Sequence, residues 1–140
     1  MSFMERWFDE VWNKGNEKFI DEMTHSDTKG RGLVHPDGNE VTDRAAFKEF
    51  YKTFRSAFSD IHVKVEDTVT EGDKHVARCL VTGVHSGEGI GKPPTGNPVK
   101  FTGMCMVRLK DGKIIESWNN FDFMTMYKQL EQPLGNEPPA

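Results

Sequence analysis

At 140 residues with a formal net charge of −4, the chain can bury roughly 68% of the surface that its unfolded form exposes. Its charges are interspersed and form no basic stripe, which argues against nucleic acid or an anionic membrane as partner. No apolar run approaches the roughly 18 residues of a membrane span, and the acidic, amphipathic segment MSFMERWFDEVW is unlike a signal or transit peptide.

Phe3, Trp7, Phe8, Val11 and Trp12 recur at helical spacing and predict a first amphipathic helix that stops near Gly15. Phe19, Ile20 and Met23 predict a short second helix. Residues 24–41 read as a polar, glycine-rich connection containing a short strand at Gly32-Leu33-Val34. Thr42 or Asp43 caps the next helix, whose Phe47, Phe50, Tyr51, Phe54 and Phe58 form one apolar stripe. After Asp60 the period changes to two, and residues 61–70, 74–85, 99–109 and 113–121 read as strands. A terminal helix carries Met126, Tyr127 and Leu130. The expected organisation is a single domain over residues 1–132 and a loose proline-rich tail over residues 133–140. Helices followed by consecutive hairpin strands imply an α+β fold, its antiparallel sheet covered on one face.

If Asp111-Gly112 is a two-residue turn, Lys110 pairs with Lys113. In a regular hairpin Cys105 then lies opposite Trp118, Gly103 opposite Asn120, and Phe101 opposite Asp122. One face would carry Phe101, Gly103, Cys105 and Val107 with Glu116, Trp118, Asn120 and Asp122, joined by Ala77, Cys79, Val81, Gly83 and His85 of the preceding strand. Small residues on a concave face leave room for a ligand. The opposite face, with Arg78, Thr82, Thr102, Met104, Met106, Arg108, Ser117 and Asn119, suits a half-wet homodimer interface. A bulge in either strand would exchange these faces.

Several motifs together resemble the SnoaL-like polyketide cyclase family: Trp12-Asn13-Lys14-Gly15-Asn16, Ala57-Phe58-Ser59-Asp60, Glu71-Gly72-Asp73, Arg78 and Gly83-Val84-His85-Ser86-Gly87. Pro93-Pro94-Thr95-Gly96 and the run from Asp111-Gly112-Lys113-Ile114 through Glu116 and Trp118 to Asp122 extend the likeness, which spans about residue 5 to 131. The resemblance implies an NTF2-like fold, a cone-shaped α+β barrel whose sheet and helices enclose a pocket, and a dimer. It also implies cofactor-independent aldol ring closure, with an aspartate at the position of Asp122 as acid–base residue. The chain departs from the family at Ser59, where proline is usual, and offers Met104, Met106 and Arg108 where cyclases present polar groups.

Asp122 has two readings from its own surroundings. In an apolar cavity, desolvation would raise its pKa and suit it to move protons beside a carbonyl; at the start of the last helix, it would accept backbone N–H groups as a cap. His85 either protonates or orients a substrate carbonyl or is a hydrogen-bonded rim histidine. The candidate binding residues are Phe101, opposite Asp122, with Trp118 as a stacking surface and Asn120 as a partner for a ligand oxygen. His35 is placed at the pocket mouth, and Tyr51 has a hydroxyl that can point inward. Each of Trp118, Asn120, His35 and Tyr51 also has a plain structural role open to it. Cys79 and Cys105 form no disulfide framework or CxxC pair, so they read as small buried residues in a reducing cytoplasm.

The five histidines show no metal-ligand spacing. Gly87-Glu88-Gly89-Ile90-Gly91-Lys92 fails both phosphate-loop patterns and is expected as a lid or rim. No cofactor or metal is expected. The leading expectation is cyclase-type chemistry on a small apolar carbonyl compound; a non-catalytic binding or dimerisation module is the alternative, and an isomerase or hydrolase in the same pocket the second enzymatic one.

Overall fold

Helix α1 (Phe3–Trp7) continues into a π-helical stretch, Phe8–Asn13, followed by α2 (Lys18–Met23), strand β1 (Thr24–Arg31) and helix α3 (Arg44–Ala57). Strands β2 (His62–Glu71), β3 (Lys74–Val84), β4 (Pro98–Lys110) and β5 (Lys113–Phe121) come next, and helix α4 (Phe123–Leu130) is the last element among the described residues. The computed structural model describes residues 1–132, and the tail expected over residues 133–140 lies outside the described residues.

The first helix is fixed by a reciprocal cap. Ser2 Oγ accepts the Glu5 N–H at 3.1 Å, and the Glu5 carboxylate accepts the Ser2 N–H at 3.2 Å. The wider π-helical turn that follows turns Trp7, Phe8, Val11 and Trp12 into the core together. Side chains of α3 meet its last carbonyls: the Tyr51 hydroxyl donates to Val11 O at 2.8 Å, and Arg55 donates to Trp12 O. Asn13 then pairs both backbone groups of Val63, at 3.0 and 2.7 Å, tying the N-terminal segment to β2. The helix α3 is capped by Asp43, which accepts the Ala46 N–H at 2.8 Å, and its predicted aromatic stripe is buried against Trp12.

The strands form an open sheet in the order β1-β5-β4-β3-β2, antiparallel throughout except for the parallel pair β1–β5. The fold class is therefore α+β as expected, with a sheet that does not close. β1 was expected as a connection. Its sequence, THSDTKGR, carries no apolar alternation, and only Thr24 and Thr28 are buried, so the usual strand signal is missing. Val34 contributes only an isolated bridge to Glu40.

The β4–β5 turn is as predicted, with Asp111 (φ 55) and Gly112 (φ 77) both left-handed and Lys110 opposite Lys113. Past Leu109↔Ile114 the register shifts by one: Arg108 pairs with Glu116, Met106 with Trp118, Met104 with Asn120 and Gly103 with Phe121. Ile115 is the extra residue of a β-bulge. This overturns the regular-hairpin expectation. Ser117, Asn119 and Phe121 share the inner face with Cys105, Val107 and Gly103, whereas Glu116, Trp118 and Asn120 lie on the outer face. Asp122 follows on the outer parity, and its N–H bonds Thr102 O at 3.0 Å rather than placing it opposite Phe101.

Gly103 makes room for the inward Phe121 ring: a Cβ built there would lie 2.1 Å from the ring. Gly103→Ala is expected to lower stability by about 1–3 kcal/mol through overpacking, measured as a fall in the urea midpoint. An unchanged midpoint would show that Phe121 does not lie across this position.

Candidate functional site

Between the helices and the inner sheet face lies a cavity of about 90 Å³. Trp7, Phe8, Trp12, Phe50 and Phe54 supply its helical wall, and Val81, Phe101, Cys105 and Phe121 its sheet wall. Polar groups gather toward β1: Thr28, Ser117 and Asn119 line the cavity together with Asp43 and Arg44. Asn119 Nδ2 donates to Arg31 O at 3.0 Å, which fixes the amide on the cavity side of β5. Arg44 is anchored by bonds to Thr24 Oγ1 at 3.0 Å and Thr24 O at 2.7 Å, and by an ion pair to Asp21 at 3.2 Å. An apolar body with a few convergent polar groups is the composition of a small-molecule site.

A second, outer cavity of about 390 Å³ is bordered by Val34, His35, Pro36, Thr53, Ile90 and Tyr127. Phe50, Phe54 and Phe123 line both cavities and stand between them. The loop over residues 86–97 forms part of the outer wall. It is held on α3, because Ser86 and Gly87 both donate to Ala57 O, at 3.0 and 3.1 Å. Gly87 and Gly89 lie so near the Ser56 and Thr53 carbonyls that a Cβ would fall 2.0 and 2.5 Å from them. The segment is thus a rim.

The predicted residues divide. Phe101 lines the inner cavity and His35 the outer one, with the His35 ring edge-on to Phe50 at 6.3 Å. Trp118 and Asn120 are displaced to the outer face by the bulge, and Trp118 lies under the Arg31 guanidinium at 5.1 Å. Tyr51 lines neither cavity, since its hydroxyl serves the Val11 carbonyl. His85 is fully buried and also lines neither cavity; its Nδ1 accepts the Thr95 N–H at 3.2 Å and lies 3.0 Å from Thr95 Oγ1, while its ring packs on Phe58.

Asp122 caps α4. Its Oδ1 accepts the Thr125 N–H at 3.1 Å, and its Oδ2 accepts the Thr125 hydroxyl at 2.6 Å. The side chain is exposed, and these bonds to Thr125 hold its carboxyl below the usual carboxylate range. The rise in pKa expected for an apolar cavity is therefore replaced by a fall. Sequence reasoning missed Thr28, Ser117, Asn119 and Arg44. The bulge hid Ser117 and Asn119, and the absence of strand periodicity hid Thr28. Burial pushes the Cys79 and Cys105 thiols up to about 12, so both serve as small apolar fillers.

The sequence pattern of the SnoaL-like polyketide cyclase family matches residues 3–130. The chain belongs to this family. Over 125 residues it is 26% identical to an aklanonic acid methyl ester cyclase of Streptomyces peucetius, covering 89% of this chain and 86% of the relative. A structure from Streptomyces antibioticus, provisionally assigned as a polyketide cyclase, is 30% identical with a TM-score of 0.77, covering 92% of this chain and 96% of that one. Another from Jannaschia sp. CCS1, provisionally assigned as a SnoaL-like polyketide cyclase, is 25% identical with a TM-score of 0.80, over 93% and 90% of the two chains. The fold of this SnoaL-like protein is NTF2-like, of the ketosteroid isomerase-like type. Among its described residues, no helix is long and apolar enough to cross a membrane.

Burial pulls the His85 pKa down, with the nearby Lys92 charge adding to the effect. The folded state thus favours neutral His85, and the unfolded chain takes up the proton first as pH falls below about 6.5. Stability present above that pH is lost as pH drops through the lowered folded pKa. In His85→Asn this part of the pH dependence is expected to vanish, read from urea midpoints at pH 7.5 and 5.5. The same slope in both proteins would contradict it.

Proposed function

We propose that this SnoaL-like protein binds a small apolar carbonyl compound across its two cavities and carries out cofactor-free, aldol-type acid–base chemistry on it. The observation that carries the reading is the aromatic-walled inner cavity with Thr28, Ser117 and Asn119 at one end. The apolar walls favour a hydrocarbon body, and the hydroxyl and amide groups offer hydrogen bonds to a carbonyl oxygen. The family membership and the cyclase activity named for the Streptomyces peucetius relative support the same class of reaction.

Asp122 is the proposed acid–base residue. It is set between Phe121 and Phe123, which both line the inner cavity, so it adjoins the site although its carboxylate is turned to Thr125. Those bonds are solvent-exposed and exchangeable for bonds to a ligand. A second reading, binding without catalysis, is favoured by the cap itself. A carboxylate held low is a weaker base than one tuned toward neutrality. We also infer pairing of two copies through the outer sheet face, supported by Met104, half exposed there beside Trp118.

Asp122→Asn separates capping from chemistry, because asparagine caps a helix about as well as aspartate. With an aryl 1,5-diketone as probe, aldol ring closure and the loss of water that completes it, followed by enone absorbance, are expected to slow about 10²–10⁴-fold in the variant while its thermal midpoint is retained. Because the Asp122 pKa is lowered, kcat/KM of the parent should show no acid limb above about pH 4. Equal turnover by both proteins would remove Asp122 from the chemistry. Ligand binding without turnover would establish the non-catalytic reading.

A further inference from the structure

Phe123 occupies an unusual position in the wall between the cavities. The other two shared side chains, Phe50 and Phe54, are buried on α3 and packed edge-on against Trp12 at 6.4 and 6.0 Å. Phe123 is half-buried, at the first residue of α4, with its ring 6.0 Å from Phe54, 5.8 Å from Phe101 and 6.2 Å from Phe121. The two ends of α4 are held differently. At its C-terminal end the Asn97 amide donates to Gln129 O at 3.1 Å and Leu130 O at 3.3 Å. The buried Gln129 side chain also bonds both backbone groups of Lys100, at 2.7 and 2.8 Å. The N-terminal end has the exposed Asp122 cap.

The volumes on either side of Phe123 are unequal in a way that constrains the ligand. An inner space of about 90 Å³ is smaller than the roughly 150 Å³ cavity that accepts benzene, and corresponds to about three groups the size of a water molecule. It is too small for a ring but matches a propyl-sized arm. The outer space of about 390 Å³ lies within the range of small-molecule pockets. Its aromatic borders, His35, Phe50 and Tyr127, suit a planar ring.

We propose that Phe123 is the specificity-determining residue of this site: the ring of an aryl alkyl ketone occupies the outer cavity, and its carbonyl with a short alkyl arm of about three carbons passes Phe123 into the inner one, the oxygen toward Thr28, Ser117 and Asn119. The proposal rests on the reading of the two cavities as a site for an apolar carbonyl compound. It adds the ligand's shape and the residue that limits it. Removal of the Phe123 ring merges the two spaces and lengthens the arm that fits.

Titration calorimetry with acetophenone, butyrophenone and octanophenone tests this, with ethylbenzene, butylbenzene and octylbenzene as the counterparts in which a methylene replaces the carbonyl. From acetophenone to butyrophenone, affinity for the parent protein is expected to rise about 15-fold, at about 0.8 kcal/mol for each of two buried methylenes. It should gain nothing further for octanophenone. In Phe123→Ala the optimum moves to octanophenone, and Phe123→Leu, a milder change to the fold, shifts it the same way by less. Affinity that climbs steadily with arm length in the parent, or an optimum that neither variant moves, overturns the proposal. An optimum shared by ketones and hydrocarbons, with no advantage for the ketones, upholds Phe123 as the limit but overturns the carbonyl reading. Failure of every probe to bind overturns both.

Discussion

The arrangement of the site depends on Glu116 remaining on the outer face of the sheet. Its carboxylate lies between two guanidiniums, 2.8 Å from Arg108 Nε, 2.7 Å from a terminal nitrogen of Arg108 and 3.2 Å from Arg31. Arg108 chiefly, and Arg31 after it, hold the carboxyl below its usual range. In a regular hairpin Glu116 would instead face the interior beside Cys105 and Val107, where an unpaired charge is strongly unfavourable. The bulge at Ile115 resolves the conflict. It lets Ile114 stay buried on one side of the extra residue and Glu116 stay paired on the other.

One inserted residue then reverses the side of every residue that follows it in the strand. Ser117 and Asn119 face the cavity, Phe121 turns over Gly103, and Trp118 meets Arg31 outside. By the end of β5 the same parity puts Asp122 outside and Phe121 inside, so the aspartate arrives at the start of α4 as a cap. Its lowered pKa and the apolar lining beside it follow from the same offset. The sheet and helices form a cavity whose aromatic wall comes largely from α3 and the π-helical stretch, both set by long-range hydrogen bonds from Tyr51, Arg55 and Asn13.

Much of this was legible from residue pattern. The aromatic stripe of α3, the change of period after Asp60 and the Asp111-Gly112 turn located the helix, four of the five strands and the inner positions of Ala77, Cys79, Val81 and Phe101. The motifs Trp12-Asn13-Lys14-Gly15 and Ala57-Phe58-Ser59-Asp60 also have physical roles: Asn13 clamps Val63, and Asp60 accepts the Val84 N–H at 2.9 Å. Two features were not legible. β1 has threonines at its buried positions and pairs with a strand distant in sequence, so no local alternation marks it. The bulge is set by a tertiary charge cluster, Arg31–Glu116–Arg108, which brings together residues from three strands. The faces expected for Trp118, Asn120 and Asp122 depended on strand parity and differ from the structure for that reason, with Asp122 taking its capping arrangement, while Phe101, on the strand without the extra residue, keeps the inner face.

The register of β4 against β5 therefore decides the account, and cross-strand nuclear Overhauser contacts in the isotope-labelled chain measure it directly. Contacts pairing Met106 with Trp118 and Met104 with Asn120 are predicted. Contacts pairing Cys105 with Trp118 and Gly103 with Asn120 would contradict it, because Trp118 and Asn120 would then face the cavity and Ser117 and Asn119 would lie outside.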